Sequence, residues 1–424
     1  MYHKICEKMN NVSSFQLAFE QRWGIHLVIS FFEKLFKTYK KSYDKYTSNQ
    51  NRKRIVMKKV LLLLTTLLLT TGLVACNKDE DTTNTNQSET GVAPGLQKDP
   101  YAGEEFLLGT YTRIRVYDEG KEAALEPAFD RIRDLGDRIT INQAGSEIDA
   151  INEQAGVAPV QVSDDIYGLI KQAYDYTVES EGGYNLAIGA ITQLWRIGFD
   201  DARKPSQEEI DEALQHIDYQ KIQLNDAEQT VYLEEPEMIL DLGAIAKGYI
   251  ADEVAEVLKE NGVTSAVIDL GGNVLVLGHS WRGTDEPWNI GIQDPNNARG
   301  TILGSIKETD KTVVTSGIYE RYLEVDGVQY HHIFDSKTGY PYDNDIASVT
   351  VITDHSIDGD GLTTVIFDKG VKEGLAYIEQ NTPEGTDAVF VTKEGKVYVT
   401  EAIQDTFVLS DESGYTMGDR SELE

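Results

Sequence analysis

The chain has 424 residues, 40% hydrophobic and 26% charged, an ordinary globular composition that excludes collagen-like, coiled-coil and wholly disordered chains. Its formal charge of −32, from 39 basic and 71 acidic side chains, speaks against nucleic acid, whose phosphates demand a basic surface. Cys6 and Cys76 are the only cysteines, so a disulfide framework and a multi-cysteine zinc site are both excluded.

Residues 1–56 carry 11 basic and 4 acidic side chains, against the trend of the chain. They read as a non-native upstream extension, with translation starting at Met57. Met57-Lys58-Lys59 is followed by a sixteen-residue, mostly apolar run, Val60 to Ala75, which closes on Leu73-Val74-Ala75-Cys76. A short positive start, an apolar segment and small residues before a cut make residues 57–76 a secretory signal. The run is too short for a comfortable transmembrane helix, which needs about 20 apolar residues. The alternative is a stop-transfer helix with an incidental cysteine, but Cys76 stands where cleavage should fall. Leu-Val-Ala-Cys resembles a bacterial lipobox, which implies lipidation at Cys76 and a lipid-anchored protein on the extracytoplasmic face of the cell membrane. Beyond Cys76, 26 basic and 67 acidic residues leave a charge near −41. Such a surface repels anionic lipid, so the lipid rather than the charge would hold the protein to the membrane. Residues 77–100 are polar and rich in turn formers, and read as a flexible tether. Folded pattern runs from Tyr101, and residues 101–424 read as one domain.

Helical periodicity appears over Glu122–Ile139, with Leu125, Phe129, Ile132 and Leu135 on one side, and over Ser163–Val178. Ser206 to Glu209 spells a capping box. Ala244–Asn261 carries Ile250, Val254, Val257 and Leu258 and stops at Gly262. Strand signals follow over Thr264–Leu270, Asn273–Gly278, Trp288–Gln293, Lys311–Ser316, Ala347–Thr353, Ala388–Thr392 and Lys396–Thr400. Arg321–Val325 and Val328–Phe334 flank Asp326-Gly327, a two-residue hairpin turn. Thr363–Lys369 and Lys372–Gln380 predict a helical pair around Gly370. Helices cluster early and strands late, which predicts an α+β fold with a mostly antiparallel sheet and packed helices.

Four segments carry candidate chemistry. Asp241 to Tyr249 (DLGAIAKGY) takes a strand, Met238–Leu240, through a glycine turn into a helix start, whose free N–H groups attract phosphate. Lys247 shares the inward face with Ile250 and Val254 and wants an anion; a snorkelling lysine is the plain alternative. Asp269 to Asn273 (DLGGN) pairs two glycines, which permit close backbone approach to a ligand but also make ordinary hairpin turns. His331 to Gly339 (HHIFDSKTG) offers a strand-end histidine as general base and Asp335 beside it, or a turn without chemistry. Asp358 to Thr364 (DGDGLTT) places Asp360 and Thr364 at i and i+4 on a helix, hard oxygen ligands suited to Mg²⁺, or a solvated polar face.

These segments, in this order behind a lipobox, resemble the ApbE family, the FAD:protein FMN transferases. The family pattern D-L-G-G-I-A-K-G is matched by Asp241 to Gly248, with Ala244 for its second glycine. H-I-I-D-P-x-T-G is matched by His332 to Gly339, with Ser336 for the proline, and D-x-x-x-T by Asp360 and Thr364. Gly182-Gly183-Tyr184-Asn185 resembles G-A-F-D, with Asn185 for the aspartate, and Leu108-Gly109-Thr110 also agrees. The resemblance implies an enzyme that binds FAD as substrate and uses Mg²⁺ to break its pyrophosphate. It would move FMN onto a Ser or Thr hydroxyl of an acceptor flavoprotein and release AMP. It implies metal contacts from the Ala244 carbonyl, Asp360 and Thr364. It implies flavin-nucleotide contacts from Leu108, Gly183, Tyr184, Asn185, Asp241, Lys247 and Ile333. His332 would activate the acceptor hydroxyl, with Asp335 the second catalytic candidate, and activity would fall below a pH near 6.5, the ordinary imidazole value. A flavin-binding surface lipoprotein without transfer and an FAD pyrophosphatase remain open as alternatives.

Overall fold

The computed structural model describes residues 91–423. The expected upstream extension and signal, Cys76 and most of the expected tether lie outside the described residues. The described helices are α1 (Leu125–Ile139), α2 (Glu147–Glu153), α3 (Asp164–Glu179), α4 (Gly189–Trp195), α5 (Gln207–Ala213), α6 (Ala246–Glu260) and α7 (Ser356–Asn381). The strands begin with β1 (Leu96–Leu107), β2 (Thr110–Asp118), β3 (Val160–Gln161), β4 (Ile222–Asn225), β5 (Thr230–Leu233), β6 (Ala266–Leu270), β7 (Asn273–Leu277) and β8 (Trp288–Gln293). They continue with β9 (Ile302–Glu308), β10 (Thr312–Gly317), β11 (Tyr322–Val325), β12 (Val328–His331), β13 (Ile346–Thr353), β14 (Asp387–Thr392), β15 (Lys396–Val399), β16 (Val408–Leu409) and β17 (Thr416–Met417).

Nine strands form one sheet in the order β1-β2-β6-β7-β10-β13-β14-β15-β17, antiparallel throughout except for β15 beside β17. The fold is α+β, as the element order predicts. Its central strands are near-continuous apolar runs because both faces are covered, and successive side chains go to opposite faces. Leu275 and Leu277 of β7 pack with Ile132, Val254 and Leu258 of α1 and α6. Val276, between them, packs with Trp288, Ile290 and Ile306 of the β16-β9-β8 sheet. In β14, Ala388 and Phe390 meet Ile366 and Phe367 of α7, while Val389 and Val391 turn to the small sheet. Arg138 fastens α1 to its neighbours, donating to Glu147 of α2 at 2.8 Å and to Asp165 of α3 at 2.5 Å.

Several boundaries differ from expectation. β1 begins at Leu96, so residues 96–100 of the expected tether lie in a strand. Of these, Leu96 pairs with Asp118 of the antiparallel partner β2, and the register resumes at Tyr101 after an irregularity. Met238–Leu240 makes only an isolated bridge, Ile239 to Ile188. The helical pair around Gly370 is one run starting at Ser356, kinked at Gly370, whose φ of 74° and ψ of −178° are not helical. Asp360 and Thr364 lie on a helix as expected, and the glycines of Asp358-Gly359-Asp360-Gly361 are part of it. They are helical because Gly359 fits against Val314 and Gly361 against Tyr176, where no side chain would.

The helix starts that matter for the site hold one another. Asp252 of α6 accepts the N–H groups of Ser356 and Ile357, both at 2.8 Å, and so caps α7 from another helix. Burial pushes the Asp252 carboxyl up to about 6, partly offset by those two N–H groups. A raised native value means that the folded protein holds a proton which the unfolded chain, near 3.9, has released. This group's contribution to stability is therefore full below about pH 4 and declines as pH rises through 6. Thermal melts of Asp252→Asn against the parent should show a flatter pH dependence between 4 and 6, and a parallel pair of curves would contradict the assignment.

Candidate active site

A cavity of about 240 Å³ opens where α6, α7, the β11–β12 hairpin and the segment before α4 converge. Its wall includes Gly183, Tyr184, Asn185, Asp241, Ala244, Lys247, His332, Ile333, Asp360 and Thr364. Motifs up to 181 residues apart in sequence, Gly183 to Thr364, thus share one site.

Asp360 is only 4% exposed, which removes the solvated-face reading of its motif. Its Oδ2 accepts the Gly248 N–H at 2.6 Å and its Oδ1 the Asn273 side-chain amide at 3.3 Å. In a regular helix the Gly248 N–H would go four residues back, to the Ala244 carbonyl. Here it goes to Asp360, and the Ala244 carbonyl is left without that bond. Gly248 permits this because a Cβ there would collide with the Ser356 backbone. Burial raises the Asp360 pKa, opposed by the Lys247 charge and the Gly248 N–H. A desolvated carboxylate with two neutral donors, a hydroxyl at Thr364 one turn on, and a diverted backbone carbonyl form a hard-oxygen set. Such a set fits a cation like Mg²⁺. The one cluster of metal-ligating side chains among the described residues that is recognisable by proximity is Glu212, His216 and Glu237. None of these three lines the cavity.

Asp241 is fixed on every side. Its N–H donates to the Leu186 carbonyl at 2.9 Å, and its carboxylate accepts from Gly243 N–H at 2.8 Å and Thr192 Oγ1 at 2.6 Å. Asn185, in place of the family's aspartate, donates to the Ile217 carbonyl at 3.0 Å and accepts from Ala187 N–H at 2.9 Å. Its amide thus shapes the chain entering α4. The loss of a carboxylate here costs no local bond, because an amide supplies both a donor and an acceptor.

The two histidines divide as strand alternation predicts, although β12 ends at His331. His331 is buried, donates from Nε2 to the Tyr342 carbonyl at 2.9 Å and packs near Phe367. It is a core residue, so replacing it would affect the fold. His332 faces the cavity, with Nδ1 3.2 Å from the Arg321 carbonyl. A carbonyl only accepts, so Nδ1 carries the proton and the Nε2 lone pair is left free. Burial, then the charges of Arg321, His331 and Lys247, push the His332 pKa down to about 3. The acid limit expected near 6.5 therefore moves well below it.

Two expected site residues stand elsewhere. Leu108 sits in the β1–β2 turn with φ of 53°, and its side chain packs against Gly136 of α1. Asp335 spends both carboxylate oxygens on its own turn, accepting from Lys337 N–H and Thr338 Oγ1, each at 2.8 Å. The DSKTG turn reading holds for it. The glycine pair is likewise a hairpin turn, with Gly271 and Gly272 at φ of 70° and 99° between β6 and β7. Only Asn273, its last residue, reaches the site, through Asp360. Asn142, Thr192, Phe199 and Arg321 line the cavity without having been singled out in sequence. They belong to no shared local pattern, and only the chain path brings them together.

The ApbE family sequence model matches residues 108–390. A protein named FAD:protein FMN transferase from Klebsiella pneumoniae is 40% identical over 319 residues, covering 75% of this chain and 97% of its own. One of the same name from Treponema pallidum is 37% identical over 320 residues, covering 72% and 88%. The crystal structure of the ApbE protein from Thermotoga maritima superposes with a TM-score of 0.65 at 30% identity, over 72% of this chain and 98% of that one. The apo Pseudomonas stutzeri flavinyl transferase ApbE gives 0.62 at 26%, over 72% and 96%.

The tautomer of His332 is open to direct measurement. Nitrogen-15 NMR of the imidazoles should show His332 as the neutral Nδ1–H form, unchanged from pH 8 to pH 5. Titration of that ring near 6.5 would refute the burial argument.

Proposed function

The chain belongs to the ApbE family and is a transferase, and from that premise we propose that it moves FMN from FAD onto a hydroxyl of an acceptor protein. The observation that carries this reading is the meeting of Asp360, Thr364, Lys247 and the free Nε2 of His332 in one cavity. No nucleophilic side chain with an activating base is needed on this chain, because the acceptor brings the nucleophile.

In the proposed reaction the acceptor's Ser or Thr oxygen attacks the phosphorus nearer the riboflavin. The bond from that phosphorus to the bridging oxygen breaks, and AMP leaves with the electron pair. His332 Nε2 takes the hydroxyl proton, a contribution typically about 10²–10⁴-fold. Its low pKa keeps the lone pair available at neutral pH, although it makes the ring a weaker base. Lys247 offsets charge on the pyrophosphate. Asp241, immobilised by Thr192 and Gly243, shapes the nucleotide wall. Asp360, Thr364 and the Ala244 carbonyl would hold Mg²⁺, which when bound polarises phosphoryl oxygens.

Incubation of the protein with FAD, Mg²⁺ and a candidate acceptor, followed by mass spectrometry and AMP assay, tests the reaction. FMN-modified acceptor and stoichiometric AMP are expected. AMP and free FMN without modified acceptor would mean hydrolysis, and FAD binding without AMP would mean a carrier. Asp360→Ala should abolish transfer at limiting Mg²⁺, because it removes the one full negative charge in the ligand set. Thr364→Ala should do less. His332→Asn should slow transfer at least about 10²-fold with FAD binding nearly unchanged, since the interaction matters only in the transition state.

We also propose that Cys76 carries the lipid anchor of the mature protein, placing this site on the extracytoplasmic face of the membrane. Cys76→Ala should release the protein or stall its processing. Unchanged membrane retention of the mutant would contradict the anchor.

A further inference from the structure

Outside the cavity, at the end of α5, stands a histidine between two carboxylates that the scheme above leaves unused. Glu212 and His216 are four residues apart on the helical run that continues from α5 through Leu214–His216, so they share one side of it. Glu237, in the turn after β5, comes against that side. Glu237 Oε2 lies 3.2 Å and Glu212 Oε1 3.9 Å from His216 Nε2, and the three side chains offer ligand atoms all within 4.8 Å of one another. Both His216 ring nitrogens are buried without a hydrogen-bond partner. Native interiors almost always pair such groups. Glu237 is near enough to bond to Nε2 but is misaligned with it, so the in-plane direction of that nitrogen is not taken up. Among the described residues, no lysine or arginine lies within 4 Å of either carboxylate; His216 is their one cationic neighbour, and only when protonated.

We propose that Glu212, His216 and Glu237 bind one Zn²⁺ ion, with water in the fourth position. The spacing fits. Ligands about 2.0–2.1 Å from a tetrahedral ion stand about 3.3–3.4 Å apart. The Glu237 edge already has that length, and the Glu212 edge closes by about half an ångström when that flexible side chain turns inward. The donor set selects the ion, because imidazole with carboxylate suits zinc whereas Mg²⁺ takes oxygen ligands. The hard-oxygen set at Asp360 therefore prefers a different cation. The ion supplies the partner that Nε2 lacks and offsets two facing negative charges. The Glu212 and Glu237 side chains are 68% and 71% exposed, which leaves a path from solvent. The place of the cluster gives the ion its effect. His216 precedes Ile217, whose carbonyl holds the Asn185 amide at 3.0 Å, and Glu237 lies four residues before Asp241. Zinc thus ties the end of α5 to the segment that leads into the cavity wall. The inference does not depend on the flavin reading of that cavity.

The full chain, stripped of metal with a chelator and kept in excess Mg²⁺, is titrated with Co²⁺, which takes the place of zinc and reports its geometry by visible absorption. One equivalent should give the intense absorption of a tetrahedral site. Zn²⁺ should then displace it and raise the melting temperature. His216→Gln and, separately, Glu237→Gln should lose the absorption, the rise in melting temperature and at least about 10²-fold in Zn²⁺ affinity. Because the Glu237 side chain is exposed, its replacement keeps the fold, and a loss there cannot be put down to misfolding. A weak octahedral spectrum in the parent would overturn the site. So would an absorption that survives in either variant, which would place the ion elsewhere, at Asp360 for example. Equal stabilisation of parent and variants by Zn²⁺ would mean surface binding only and would overturn it as well.

Discussion

A buried carboxylate holding the start of a neighbouring helix is the contact on which the cavity depends. Asp360, on the first turns of α7, accepts the Gly248 N–H near the start of α6. Asp252 of α6 returns the arrangement by accepting the first two N–H groups of α7. Each helix therefore places a carboxylate against the other's positive end, where both the dipole and the unpaired N–H groups favour negative charge. The helices can approach this closely because Gly248 has no side chain to strike Ser356. Burying a carboxylate is costly, and neutral donors offset only part of that cost. The remainder leaves Asp360 with its pKa raised.

The same contact explains the backbone at Ala244. A helix start has N–H groups to spare, but an early carbonyl normally finds its partner four residues ahead. Diverting the Gly248 N–H deprives Ala244 of that partner on the wall of the cavity. One hydrogen bond thus orients the carboxylate and exposes the carbonyl together. Asn273 extends the network, donating to Asp360 and accepting from Ser356 Oγ at 2.6 Å. The glycine turn before it matters to the site chiefly by fixing where Asn273 falls.

A cavity lined by Lys247 and Arg321 inside a strongly acidic protein is a paradox only at long range. Exposed charges more than about 8 Å apart are largely screened at physiological salt. What acts within the cavity is the local set: Lys247 and Arg321 beside Asp241 and Asp360. The cationic pair also bears on His332, where burial and those charges favour the neutral ring.

The local pattern of the chain was enough to determine the α+β class, most strands of the central sheet, the capping box at Ser206 and the hairpin turn at Asp326-Gly327. These depend on residues a few positions apart, where periodicity and turn chemistry are visible. Asp241, Lys247, His332, Asp360 and Thr364 were legible as candidates for the same reason, each within a short motif. Tertiary structure decided which alternative held. Asp360 could have been a solvated residue, and burial settled that it is not; Asp335 holds its own turn through both carboxylate oxygens, a contact its motif allowed but did not require. Leu108 turned toward α1 rather than the cavity, and Thr192 and Arg321 joined the site from segments without a motif. Residues 96–100 became part of a strand beside β2, and Gly359 and Gly361 let α7 lie against Val314 and Tyr176, contacts that no local pattern displays. Sequence determines which groups a segment can offer; burial, charge and hydrogen-bond partners come from residues far along the chain, and they decide what each group does.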